Sequence, residues 1–140
     1  MAPGELQAEA VRLQLERVLA SSGLARNERL TRFLRFVVER HLEGKDIELK
    51  ESLIAIEVFG RKPDYDPKQD SIVRSEAARL RGRLAEFYAG QGRSDAMVIE
   101  LPKGGYIPVF RMIETSQPRK QHGIRFALVA TALMMMTDTG

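Results

Sequence analysis

Cysteine and tryptophan are both missing from this 140-residue chain. The first absence excludes disulfides and thiolate metal sites. Histidine occurs twice, at His41 and His122, far apart and in no metal-ligand spacing. No strong excess of one charge is present either: 22 Lys and Arg stand against 19 Asp and Glu, a formal net charge of +3. Such a balance permits an anionic partner without requiring one, so the placement of the basic residues matters more than their number. The start, MAPGELQAEA, has early acidic residues and no apolar stretch, unlike a secretory signal. Low-complexity tracts and internal repeats are absent from the body of the sequence. At 44% hydrophobic and 29% charged, the composition is that of a globular chain.

Apolar spacing predicts four helices and a hairpin. Val11, Leu15, Val18 and Leu19 recur at helical spacing over Glu5 to Ala20, and Ser21-Ser22-Gly23 ends that run. Asn27 is an N-cap for a second helix, Glu28 to Leu42, whose stripe is Leu30, Phe33, Leu34, Val37, Val38 and His41. On that stripe His41 is expected to be a satisfied core residue. Ile47 and Leu49 alternate over Asp46 to Leu49, which reads as a short strand. Lys50 to Phe59 is a compact third helix closed by Gly60. Arg61 to Gln69, with two Pro and two Asp, is a loop. Ser71 to Tyr88 is the fourth helix, buried through Val73, Ala77, Leu80, Leu84 and Phe87 or Tyr88. Period two takes over after Ala96: Met97, Ile99 and Leu101 share one face, Val98 and Glu100 the other. Pro102-Lys103-Gly104-Gly105 then turns the chain towards Tyr106 to Phe110.

The fourth helix carries the chemistry. In SIVRSEAARLRGRL one face is apolar and the remainder presents Arg74, Ser75, Arg79, Arg81 and Arg83. A guanidinium fork bonds two acceptors on a guanine edge and neutralises phosphates with a charge that does not titrate away. Ser75, Ala78 and Gly82 keep the helix slim enough to approach bases in a major groove, the groove that admits a helix. The plainer reading is a solvated face in which Glu76 and Glu86 balance the arginines. What speaks for DNA is the order: short helix, loop, Arg-bearing helix, then a hairpin tipped by Lys103.

Four pieces in this order resemble the OmpR/PhoB-type winged helix-turn-helix effector domain: Phe59-Gly60 closing the short helix, an Asp-rich turn, Leu80-Arg81-Gly82-Arg83-Leu84, and Gly105-Tyr106 ending the hairpin tip. The resemblance covers Asn27 to Phe110. It implies that Arg79 contacts a base, that Arg81 contacts a phosphate, and that Lys103 lies at the wing tip, one place from the family's usual basic position, here Pro102. The chain departs from that family in two further ways. A helix replaces the family's opening antiparallel sheet, and Glu76 stands where a polar or basic residue is usual. The phrases RFLRFVVE, IAIEVFGRKPDYDP and ELPKGGYIPVF also resemble the N-terminal domain of bacterial membrane-anchored proteins that continue into tetratricopeptide repeats or a nucleotide cyclase.

The fold expected from all this is mainly α with a small β-hairpin wing, a winged helix-turn-helix preceded by an extra N-terminal helix. Residues 1–26 hold that helix, 27–112 the winged domain, 113–122 a polar linker, and 123–140 an apolar segment. Gly123 to Met136 is nearly all apolar, with a basic approach in Arg119, Lys120 and His122. It is shorter than the roughly 20 residues of a full span, and reads either as a packed or fraying tail or as a shortened membrane anchor. An anchor there would keep the DNA-binding domain in the cytoplasm at the inner membrane, as in ToxR/CadC-type regulators. The expected function is therefore the DNA-binding module of a bacterial transcription regulator. Helix 71–88 would read the major groove, the 98–110 wing would contact backbone or minor groove, and Arg74, Ser75, Arg79, Arg81, Arg83 and Lys103 would form the DNA site. The expected partners are duplex DNA, a membrane through 123–136, and a second copy of the chain. A protein-interaction or regulatory domain on the same scaffold stays open as the alternative.

No catalytic constellation, cofactor or metal is expected. Asp64, Asp66 and Asp70 lack the glycine and the closing glutamate of a calcium loop, and helix or turn capping accounts for them. Lys103-Gly104-Gly105 follows no strand-to-helix pattern and is not a phosphate-binding loop. Tyr88 and Tyr106 are expected to pack rather than to stack on bases.

Overall fold

Asn27 begins the helix whose sequence signals are the most complete. Its side-chain oxygen accepts the Leu30 N–H at 3.0 Å, which satisfies one of the orphan donors of the first turn. The computed structural model describes residues 3–113. This helix is α2 (Glu28–Leu42). It follows α1 (Pro3–Leu19) and precedes a 3-10 turn (Asp46–Glu48), α3 (Glu51–Glu57), α4 (Ile72–Ala89), β1 (Met97–Glu100) and β2 (Val109–Met112). The described chain is thus mainly helical, with four α-helices and a two-stranded antiparallel sheet. The polar segment 114–122 and the apolar segment 123–140 lie outside the described residues.

Segment 46–49 is a 3-10 turn instead of the expected strand. A strand needs a partner ladder, and among the described residues β1 and β2 pair only with each other. The turn is tied to the end of α2 by its acidic residues instead: Asp46 lies 2.7 Å from His41 Nδ1, and Glu48 3.0 Å from Arg40 Nε. The same contact corrects the expectation for His41. Its side chain is 31% exposed, at the rim of the core beside Asp46 and the Phe110 ring.

All four helices and β1 supply one core. Phe33 is fully buried at its centre, with Phe59 edge-on at 5.3 Å and Tyr106 at 6.3 Å. Val11, Leu15, Val18 and Leu19 of α1 enter the same cluster, as does Leu24 of the α1–α2 connection. Burial of such a side chain contributes about 1.5–3 kcal/mol, so α1 is part of the core and not an appendage to it. Polar contacts fix its outer edge. Arg17 makes a forked bond to Asp95 at 2.7 and 3.0 Å, and Gln14 donates to Asp95 and to the Tyr88 hydroxyl.

The strands pair Met97 with Met112, Val98 with Arg111, Ile99 with Phe110 and Glu100 with Val109. Met97, Ile99 and Leu101 face the core as their alternation requires. Val98, on the opposite face, is buried as well and lines a cleft between the hairpin and α4. Gly104, at φ +97°, supplies the left-handed residue in the connection between the strands.

Candidate nucleic-acid interface

The helix α4 is positioned from its first turn. The Asp70 carboxylate accepts the Ile72 N–H at 3.0 Å through one oxygen and the Arg61 Nε–H at 2.7 Å through the other. The Arg61 bond holds this carboxyl below its ordinary range, and the backbone bond adds to the effect. Ser71, at the N-cap position, makes no capping bond with its side chain. The Tyr65 hydroxyl lies between two acceptors, the Asp70 carbonyl at 2.7 Å and the Glu51 carboxylate at 3.1 Å. Burial, and then the bond to Glu51, push this phenol up to about 12. Together these contacts fix the loop from Gly60 to Asp70 between α3 and α4.

At 100° per residue, the exposed side of α4 has a centre and two borders. Ser75, Ala78, Gly82 and Ala85 form a low central strip, all exposed. Arg74 and Arg81 stand on the hairpin side, Arg79 and Arg83 on the side of α2. Glu86 is the exposed acidic residue of this side.

The expected site residues divide by their partners. Arg79 is 56% exposed, its nearest carboxylate being Glu76 at 4.0 Å. Ser75 is exposed, its hydroxyl 3.4 Å from that of Ser71. Lys103 is exposed on the hairpin loop and forms no ion pair among the described residues. Arg74 is half exposed but bonded, to Glu51 at 2.7 Å and to the Pro67 carbonyl at 2.8 Å. Arg81 donates to three carbonyls of the hairpin loop: Leu101 at 2.7 Å, Gly105 at 2.9 Å and Pro102 at 3.2 Å. Arg83 donates to the Gly23 carbonyl at 2.6 Å. The last two guanidiniums therefore act as brackets, one holding the hairpin against α4, the other holding the α1–α2 connection.

The acidic residues are placed differently from what their sequence positions suggest. Glu76 does not project from the exposed side of α4. It is 5% exposed, and its carboxylate accepts a bond from Arg29 of α2 at 3.0 Å. Nothing in the sequence marks this pair, since the two residues are 47 positions apart. Glu100 is paired with Arg111 across the hairpin at 2.8 Å. A charge that would interrupt a positive face is thus neutralised at Glu76 and at Glu100.

Between α4 and the hairpin lies a cleft of about 450 Å³, floored by Leu84, Tyr88, Val98 and Leu101. Tyr88 spends its hydroxyl oxygen on the Ile99 N–H at 3.0 Å, and Tyr106 packs beside Phe33, so both tyrosines serve the fold. Among the described residues no group of three or more His, Asp or Glu is arranged to hold a metal ion. Asp66 caps a turn by accepting the Lys68 N–H at 3.0 Å. No helix among the described residues is long and apolar enough to cross a membrane.

The chain matches no family model, no curated protein and no solved structure.

Proposed function

We propose that residues 27–112 are a winged helix-turn-helix, with α3, the loop 58–71 and α4 as the helix-turn-helix and the hairpin as the wing. In this reading the chain is the DNA-binding module of a bacterial transcription regulator and performs no catalysis. One observation carries it: α4 offers an open strip of small side chains, Ser75, Ala78, Gly82 and Ala85, with Arg79 exposed and without a hydrogen-bonded partner on one border and the hairpin with Lys103 fixed along the other. A slim, Arg-bordered helix enters a major groove, and a basic loop beside it meets phosphates. Arg79 is the base reader, Ser75 a supplementary donor, and Arg74 and Lys103 phosphate contacts. Arg81 and Arg83 keep the architecture in place. Membrane anchoring through 123–136, a cytoplasmic location and dimerisation belong to the same proposal and rest on the sequence alone.

A second reading, a protein-interaction domain on this scaffold, is favoured by the inward engagement of Arg81 and Arg83. A strip of small residues also suits close approach of another helix. A fluorescence-anisotropy titration of the full chain with duplex DNA at two salt concentrations separates the two. DNA binding requires log affinity to fall with log salt at about −0.9 per phosphate neutralised. Affinity that ignores salt, or no affinity at low salt, would leave the protein-interaction reading standing.

A further inference from the structure

Glu76 is the anomaly of α4: a carboxylate almost removed from solvent on the helix proposed to meet DNA. A buried carboxylate needs a cation, because removing an unpaired charge from water is strongly unfavourable. Two guanidiniums are within reach of the same oxygen, Oε2. Arg29 Nη1 is hydrogen-bonded to it at 3.0 Å, while Arg79 Nη1 stands at 4.0 Å without a hydrogen bond. Arg79 is three residues on from Glu76 along α4, a spacing at which side chains meet.

We propose that Arg29 is a positioning residue: by donating to Glu76 it keeps Arg79 out of a hydrogen-bonded pair with that carboxylate, leaving only a loose 4.0 Å ion contact, and so available on the exposed strip. The inference rests on the DNA-binding reading above. The geometry gives the mechanism. With Arg29 in place, Oε2 has its donor, and Arg79 remains 56% exposed. Without Arg29, the remaining cation at Glu76 is Arg79, and a closing of about one ångström completes the substitute pair. Arg79 is then withdrawn from the position at which it would fork onto a base. Arg29 thus affects recognition through a residue on another helix, with no need to touch the DNA.

The test uses the full chain and a duplex selected from a random pool by the wild-type protein. Arg29→Gln is expected to weaken binding about tenfold, in the range set by loss of one base-reading arginine. Glu76→Gln alone is expected to leave affinity intact. The double variant Arg29→Gln/Glu76→Gln is expected to recover it, because no carboxylate remains to capture Arg79. In the DNA-free protein, NMR of the Arg79 guanidinium should show slowed proton exchange in Arg29→Gln and not in the double variant. A double variant as weak as Arg29→Gln, or an Arg79 signal that Arg29→Gln leaves unchanged, would overturn the proposal. A reduced salt slope in the double variant would do the same, by showing that Arg29 itself meets a phosphate. If Arg29→Gln alone fails to fold, the double variant still decides by its affinity. If the wild-type chain binds no duplex, the DNA-binding reading fails, while the NMR comparison still reports whether Arg29 controls Arg79.

Discussion

Arginines that look alike in sequence do different work, and the difference is measurable one residue at a time. Arg79 has no hydrogen-bonded partner among the described residues, so Arg79→Ala should cost about 1–3 kcal/mol of binding at a preferred site and change stability by less than about 0.5 kcal/mol. Arg81→Ala should do the reverse in emphasis. Three hairpin carbonyls lose their donor, and urea unfolding should show a loss of about 1–3 kcal/mol. The salt slope of DNA binding should stay unchanged if the hairpin carbonyls keep the Arg81 guanidinium from a phosphate. A slope lowered by about one would return Arg81 to the phosphate-binding set. Tyr65 gives a pH signature. Its folded-state value is raised from 10.0 to about 12, so its contribution to stability is complete below pH 10 and is lost as pH rises towards 12. Tyr65→Phe should flatten that part of an alkaline stability profile, and an ultraviolet titration of the wild type should show Tyr65 ionising late, with Tyr106, which burial also raises, above the ordinary phenol range.

At the scale of elements, the helix ends follow local chemistry. Asn27→Ala should cost about 1 kcal/mol in a denaturant melt, since it removes the oxygen that accepts the Leu30 N–H. Gly60 follows α3 with φ +68°, and nothing lies within 4 Å of where a Cβ would stand, so its requirement is one of backbone and not of space. These ends could be read from sequence because a cap or a left-handed glycine acts within four residues. The 3-10 turn at Asp46–Glu48 could not. Ile47 and Leu49 alternate like a strand, but strand formation depends on a partner ladder that residues 46–49 do not find. Val98 was hidden for a similar reason: alternation places it away from the core, and only tertiary packing around the hairpin buries it.

For the molecule as a whole, the decisive fact is that α1 shares the core with α2, α3, α4 and β1. Leu15→Ala, in a fully buried position far in sequence from α4, should lower stability by about 2–5 kcal/mol. The loss should appear in one cooperative transition that takes the hairpin with it. Two separate transitions by circular dichroism and by a hairpin probe would show α1 to be an independent unit. The sequence by itself determined the four helices, the hairpin, the apolar stripes and the concentration of arginine on α4, because periodicity and capping are local properties of the chain. It also placed Arg74, Ser75, Arg79, Arg81 and Arg83 together on the polar side of α4 and Lys103 on the hairpin turn. Only the tertiary structure decided which of the arginines remain free. Ion pairs and carbonyl brackets such as Arg29 with Glu76, Arg83 with Gly23 and Arg81 with the hairpin loop join residues 20 to 60 positions apart. A guanidinium is committed by whichever acceptor the packed fold brings within about 3 Å, and no local pattern in the sequence encodes that distance.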